Sequence, residues 1–273
     1  MSTVMIIARK EYGDRLRNRW ILSATLLLAA LSLGLSLLGS APVGSVGVGS
    51  LEITVVSLAS LSIFLLPLIA LMLAYDGIVG EAETGQLTLL LTYPVERWEI
   101  LAGKFLGHAM VITTATAIGY GVALLVPLFG TDGLEQEGLI AFARLLSTSI
   151  LMALAFTAMA MLFSVASRER GVAAAWAVAV WLLFVLLFDA ALLGVLVAAP
   201  DWIPPEVFPY LLMLNPADAF RIFNLGGLDN IRQFSGMLAG MEALPGWLPI
   251  TAMMVWIAAP LGVAGLLFQR REI

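Results

Sequence analysis

Six stretches of this chain contain no Asp, Glu, Lys or Arg: 20–51, 53–75, 105–131, 145–167, 171–188 and 243–269. A helix needs about 20 predominantly apolar residues to cross the hydrocarbon core of a bilayer, so runs of this size are candidate spans. In lipid, backbone polar groups find partners only within helices or closed barrels. The runs are continuous and lack the two-residue alternation of barrel strands, so they predict helices. Charged residues make up only 12% of the 273 residues and hydrophobic ones 61%, whereas about a quarter of an ordinary soluble domain is charged. The expected fold class is an all-α polytopic membrane protein. Its six transmembrane helices are expected near 21–38, 55–75, 105–128, 143–166, 172–197 and 247–268, within one domain spanning 1–273.

The connections follow from local chemistry. The first apolar run follows RLRNRW and extends from 21 to 38. That exceeds the roughly 7–15 residues of a signal-peptide core, so the segment is expected to be retained although Gly39-Ser40-Ala41 resembles a cleavage site. GSAPVGSVGVGS at 39–50 is rich in Gly and Ser and predicts a hairpin loop. The N-terminal tail carries Arg9, Lys10, Arg15, Arg17 and Arg19. With six spans, the same side receives Arg97 and Lys104, Arg168 and Arg170, and Arg270 and Arg271, leaving only Arg144, Arg221 and Arg232 opposite. That bias predicts that both termini face the cytoplasm. The net charge of −5 averages two compartments and carries no information about partners.

Several chemistries are excluded. The chain has no cysteine and a single histidine, His108, so the usual zinc, haem and iron–sulfur ligand sets cannot be assembled within it. A nucleophile–His–acid hydrolase is equally unsupported. Gly103-Lys104 is followed by Phe105, and Trp98 stands where a P-loop would require its first glycine. If the protein drives transport, the energy comes from another subunit.

Two polar segments on the basic side carry more information. In residues 1–19 and the following Trp20, Val4, Ala8, Tyr12, Leu16 and Trp20 recur at four-residue spacing, with basic residues over most of the remaining surface. This predicts an amphipathic interfacial helix, or more simply a basic topology anchor. The loop 76–104 places Glu81 and Glu83 between Gly80 and Gly85, followed by a patch of Leu87, Leu89, Leu90 and Leu91. Thr92-Tyr93-Pro94 breaks the chain, and Pro94 is suited to open a second helix with Glu96 in its first turn. Trp98, Leu101 and Phe105 share one face, which leaves Glu96, Arg97 and Glu99 for water or a partner. Either a rigid two-helix projection joined to spans two and three or a plain solvated loop satisfies this pattern.

These residues resemble a known family. A basic amphipathic first helix, six spans and the run Glu81, Glu83, Gly85, Leu87, Pro94, Arg97, Ile100, Leu101, Gly103 and Lys104 resemble ABC-2 permeases. ARKEYGDRLRNRW at 8–20, PLIALMLAYDGIVGEAETGQLTLLLTYP at 67–94 and GKFLGH at 103–108 are similar to the NosY branch of that class. The resemblance implies a type V exporter-like permease without its own nucleotide site, with ATP and Mg bound by a partner ATPase. It makes Glu81, Glu83, Gly85, Pro94, Glu96, Arg97, Glu99 and Lys104 the expected ATPase-coupling residues. It further implies a homodimer in the bacterial inner membrane, two copies of a NosF-like ATPase and a periplasmic NosD-like protein. Such a complex serves the assembly of the copper–sulfur centre of nitrous oxide reductase in denitrification. The reductase or a copper chaperone would be reached through the complex, and no nucleic acid is involved. A generic exporter of lipid, polysaccharide or drug, and a non-transporting scaffold, are the alternatives.

The opposite face offers fewer signals. Residues 198–246 are too polar and Pro-rich to span. Asn215-Pro216 predicts a short helix in which Asp218 and Arg221 pair at i, i+3. Ile231, Phe234, Leu238 and Met241 predict another after Asp229. Asp218, Arg221, Asp229, Met237 and Met241 are candidate contacts for a periplasmic partner, and Asp132, Glu135 and Glu137 a candidate acidic rim. Met237 and Met241 lie one turn apart, but a thioether pair without Cys or His is a weak copper site and no metal centre is assigned. Asp189 is the one acid within a span. Intramembrane charge is expensive, so Asp189 and His108 are candidates for translocation or dimer-interface roles, with helix packing as the plainer alternative.

Overall fold

The computed structural model describes residues 2–39, 50–129, 136–199, 202–204, 207–225 and 245–271. Among these residues the regular elements are all helical. Six segments are long and apolar enough to cross a membrane: Arg19–Leu37, Thr54–Glu83, Arg97–Phe129, Gln136–Ala166, Arg170–Ala198 and Leu248–Arg270. The all-α, six-span expectation holds, and each expected span falls within one of these segments apart from a residue or so at its ends. The third and fourth segments begin well before residues 105 and 143. The reason is physical: a helix satisfies its own backbone wherever it runs, so it continues past the apolar residues into polar surroundings. Charge-free runs mark the bilayer part of a helix and underestimate its length.

Helices are numbered in chain order. α1 (Thr3–Leu16) precedes α2 (Arg19–Gly39), the first span, and α3 (Ser50–Ala74) is the body of the second. Two single-turn helices, α4 (Val79–Glu83) and α5 (Gln86–Leu90), lead to α6 (Arg97–Gly121). A tight turn at Val122–Leu124 and α7 (Leu125–Phe129) complete the third span. α8 (Gln136–Ala166) is the fourth. The fifth comprises α9 (Arg170–Leu182), a π-helical segment at Leu183–Leu187, and α10 (Phe188–Ala198). α11 (Phe208–Leu212) and α12 (Pro216–Leu225) precede the last span, α13 (Leu248–Arg270).

α8 is the hub, packing against α3, α13, α6, α9 and α12. Its composition explains why. Ala153, Ala155, Ala158 and Ala160 are fully buried beside Met152, Phe156 and Met161, and small residues let neighbouring helix backbones approach closely where lipid offers no hydrophobic drive. The fourth span is 67% buried over its apolar window, the fifth only 11%. Leu182, Leu183, Leu186 and Leu187 of the fifth span therefore form part of an outward apolar surface. α1 lies against α6, which fixes the geometry of the basic end.

Candidate functional site: an ion-paired collar at the basic end

The chain turns from the second span into α4 at Tyr75–Ile78. The backbone N–H groups of Ile78 and Val79 donate to Ser164 Oγ of α8 at 2.9 and 3.1 Å, so one hydroxyl serves two amides that begin the turn. Gly85, at φ 74°, separates α4 from α5. This is the left-handed region, which glycine enters without the penalty a Cβ would bring. α5 buries Leu87 and turns Leu89 outward. Glu96 caps α6 from outside the helix, and its backbone N–H donates to Glu99 Oε2 at 3.0 Å, one arm of a capping box. The expectation that Pro94 opens the helix with Glu96 in its first turn is corrected. Glu96 is itself the N-cap, held in extended backbone at φ −76° and ψ 145° by the box with Glu99, so the first helical residue is Arg97.

α1 and α6 meet at two glycines. A Cβ on Gly103 would stand 2.7 Å from Ile7 Cβ, and one on Gly107 2.6 Å from Glu11 Cβ, so the two helices are in direct contact there. That approach presses Glu11 against Lys104. Lys104 Nζ lies 3.1 Å from Glu11 Oε2 and 2.7 Å from Glu81 Oε1, with Lys104 only 2% exposed. Arg15 then bridges Glu11 Oε1 at 3.0 Å and Asp76 Oδ1 at 2.8 Å. Burial alone would raise the Glu11 pKa, but Lys104, His108 and Arg15 outweigh it and bring it down to about 2. His108 is fully buried, donates Nδ1–H to the Lys104 carbonyl at 2.7 Å, and has Nε2 3.6 Å from Glu11 Oε1.

The face buried by α1 differs from the expected stripe. Val4, Ile7, Ala8, Glu11, Tyr12 and Arg15 are buried or half-buried, whereas Leu16 and Trp20 are exposed. The four-residue spacing drifts off a 3.6-residue helix, and the true stripe includes an acid and a base because each has a partner. Likewise Trp98 is 52% exposed while Leu101 is buried, so these two do not share an inward face.

Three arginines close the collar. The Arg170 backbone N–H donates to Glu83 Oε1 at 2.6 Å, its Nε pairs with Glu83 Oε2 at 3.2 Å, and its Nη2 donates to the Gly80 carbonyl at 2.7 Å. A Cβ on Gly80 would stand 3.0 Å from that Nε, so glycine makes room for the guanidinium. Arg97 Nη1 donates to the carbonyls of Phe268, Gln269 and Arg271 at 2.6, 3.2 and 2.6 Å. Arg271 Nη1 in turn donates to the carbonyls of Val165 and Ser164 at 2.8 and 3.4 Å. Arg97 was expected to meet water or a partner; it is instead turned onto the end of the last span. Glu81 and Lys104 are likewise paired inward. Leu89, Tyr93 and Trp98 point out, and Trp98 lines an open groove of about 450 Å³ together with Leu91, Val95, Glu96, Arg97 and Gln269.

At the other end, α12 appears where Asn215-Pro216 predicts it, and Arg221 Nη1 lies 2.6 Å from Asp218 Oδ1. The same nitrogen lies 2.9 Å from Asp189 Oδ2, so the intramembrane acid is paired. Asn215 Nδ2 donates to Asp218 Oδ2 at 2.8 Å and to the Phe184 carbonyl at 2.7 Å, inside the π segment. Burial raises the Asp218 pKa, and the nearby Asp189 carboxylate adds to the rise while the Arg221 guanidinium opposes it. Asp218 is 1% exposed and faces this network. His108 and Asp189 lie toward opposite ends of their spans and are not brought together. Of the hairpin expected at 39–50, Gly39 and Ser50 are the ends of α2 and α3, and residues 40–49, Asp132, Glu135, and the helix expected around Asp229, Met237 and Met241 lie outside the described residues. Among the described residues no group of three or more His, Asp or Glu is placed to hold a metal ion.

Sequence reasoning did not assign Glu11, Arg15, Asp76, Ser164, Arg170 or Arg271 to this site. The Glu11–Arg15 spacing of i, i+4 and the Gly103–Gly107 pair were the available signals. Contacts between remote segments, such as Arg97 with residues 268–271, leave no local trace.

The sequence matches the family profile of ABC-2 family transporter proteins over residues 5–273. It is 45% identical, over 100% of both chains, to the probable ABC transporter permease protein NosY of Pseudomonas aeruginosa. It is also 45% identical, over 99% of both chains, to the protein of the same name from Stutzerimonas stutzeri.

Proposed function

The chain belongs to the ABC-2 transporter family, and from that premise we propose that the collar couples ATP hydrolysis in a partner subunit to movement of the spans. As an ABC permease subunit in a membrane, the chain implies an ATPase partner. In our reading the partner docks on the outward residues of 79–99, among them Leu89, Tyr93 and Trp98, with Glu96 and Glu99 at the rim. Glu81, Glu83, Arg97 and Lys104 act behind that surface, carrying force into the bundle. The observation that carries this reading is the continuity of the collar: Lys104 joins α6 to α1 and α4, and Arg170 joins α4 to α9. A push on α4 meets ion pairs in place of compliant loop.

At the level of physiology, the complex contains two copies of this chain and two of a NosF-like ATPase, with ATP and Mg bound there. It sits in the bacterial inner membrane with both termini cytoplasmic and a NosD-like protein on the periplasmic side. Its work supports assembly of the copper–sulfur centre of nitrous oxide reductase. The names of the two relatives favour this reading over an exporter of lipid or drug. Complementation tests it. In a strain lacking the permease, this chain should restore active nitrous oxide reductase with an intact ATPase partner and fail with a hydrolysis-dead one. Restoration by the dead partner would demote the chain to a scaffold.

A further inference from the structure

The arginine at the start of α6 is in an unfavourable place for α6 itself. A helix N-terminus carries partial positive charge, which favours acids and disfavours cations. The C-terminus of a helix has the opposite need: its last carbonyls lack intrahelical partners. Arg97 is the first residue of α6, yet its guanidinium is spent on three carbonyls at the end of α13, and it lies 5.8 Å from the Phe268 ring centroid. Arg271, just beyond α13, does the same for the end of α8. Ser164, whose carbonyl Arg271 reaches, also holds the first amides of α4 through its hydroxyl. The contacts form a closed circuit: α6 to α13, α13 to α8, α8 to α4, and α4 back to α6 through Glu81 and Lys104.

We infer that Arg97 and Arg271 form a clasp that makes the cytoplasmic end of the sixth span a further output of the coupling segment, beside the fourth and fifth spans that Ser164 and Arg170 tie to α4 directly. The inference rests on the coupling reading above and adds to it. Chain connectivity alone would transmit movement only to the second and third spans, which flank α4 and α5. The clasp brings in α13, which belongs to a part of the chain 171 residues away from Arg97 in the case of Phe268. Arg97 and Arg271 are positioning residues that touch neither nucleotide nor cargo.

The absence of cysteine allows single labelling sites on each chain. Leu266, near the end of α13, and Phe64, in α3, are 61% and 46% exposed and accept labels without disturbing the core. The complex with its ATPase partner is placed in lipid nanodiscs, carrying a spin label at Leu266→Cys or Phe64→Cys. The change in spectrum on adding a non-hydrolysable ATP analogue is then measured. In the parent both labels should respond. In Arg97→Ala and in Arg271→Ala the Leu266 response should fall roughly five- to tenfold, the size of an ordinary coupling between sites, with the Phe64 response and bound ATPase retained. Arg97→Lys, which keeps charge but not the fork, should fall between, and with Arg271→Ala it carries the test if Arg97→Ala does not assemble. An undiminished Leu266 response in either alanine variant overturns the clasp. So does a parent that responds at Phe64 alone. Loss of the ATPase from Arg97→Ala while Arg271→Ala responds normally makes Arg97 a docking contact and also overturns it. No response at either label in the parent sinks the coupling reading itself.

Discussion

The two ends of the bundle manage charge differently. At the basic end, Glu11, Lys104, Glu81, Arg15 and Asp76 form a chain of ion pairs, extended by Arg170, Arg97 and Arg271 onto backbone carbonyls. At the opposite end, among the described residues, one guanidinium serves two carboxylates. Cations and acids interleave in the first case, so every buried charge is answered, and Glu11 stays ionised. In the second the acids outnumber the base, and Asp218 holds its proton more tightly. The first arrangement suits a part that must move as one piece; the second can change its charge with modest changes in surroundings.

Breaking the centre of the basic end should give the largest effect. Lys104→Met leaves Glu11 and Glu81 without their shared cation, a loss of about 3–5 kcal/mol for a buried pair. Thermal unfolding in detergent should show it, and adding Glu11→Gln should recover part. If Lys104→Met is no worse than a change at Arg221, the two ends are not tied with different strength. Next, Gly107→Ala forces a methyl against Glu11 Cβ and the Ala8 carbonyl, an overpacking worth about 1–3 kcal/mol. Protease cleavage within α1 should accelerate. An unchanged cleavage rate would mean α1 is not seated on α6 in solution.

Arg221→Gln at the other end should cost about 1–3 kcal/mol, the penalty of a buried polar group left short of a partner. The loss should be smaller than for Lys104→Met because protonation of Asp218 relieves it. The pH dependence sharpens the contrast. Asp218 has a folded-state pKa above its unfolded value, so its contribution is complete in acid and declines as pH rises through the folded value. Glu11 is the reverse: its contribution is present above its unfolded value and is lost only as pH falls toward about 2. Hydrogen-exchange protection in α12, corrected for the intrinsic rise of amide exchange with pH, should therefore fall between about pH 5 and pH 8 while protection in α1 stays level. Equal pH responses would erase the distinction. The smallest effect belongs to Lys10→Ala. Its pairs with Asp14 and Glu81 are at 3.6 and 3.5 Å with the lysine side chain 59% exposed, and such surface pairs contribute about 0–1 kcal/mol.

Much of this architecture was legible from charge placement. Charge-free runs located the spans because lipid excludes unpaired charge, and the Asp218–Arg221 pair was readable because helix geometry fixes i, i+3 neighbours. What stayed hidden was the use of individual charges. Arg97 and Lys104 looked like surface residues of a cytoplasmic loop, since long basic side chains usually are. Their burial depends on acceptors supplied by α13 and α1, at sequence distances no local pattern encodes. The stripe on α1 was misread for a related cause: Glu11 scores as an outward residue unless its buried partners are known.

The π segment at Leu183–Leu187 has one more implication. A π turn accommodates one residue more than an α turn, and one residue corresponds to about 100° of rotation around a helix. Removing a residue there would restore an unbroken α-helix and leave the span ample to cross a bilayer. It would also swing Asp189 about a quarter-turn relative to Trp176 and Trp181, away from Arg221. The length of the fifth span is thus a matter of phase rather than thickness: the surplus residue sets the direction in which the intramembrane acid faces.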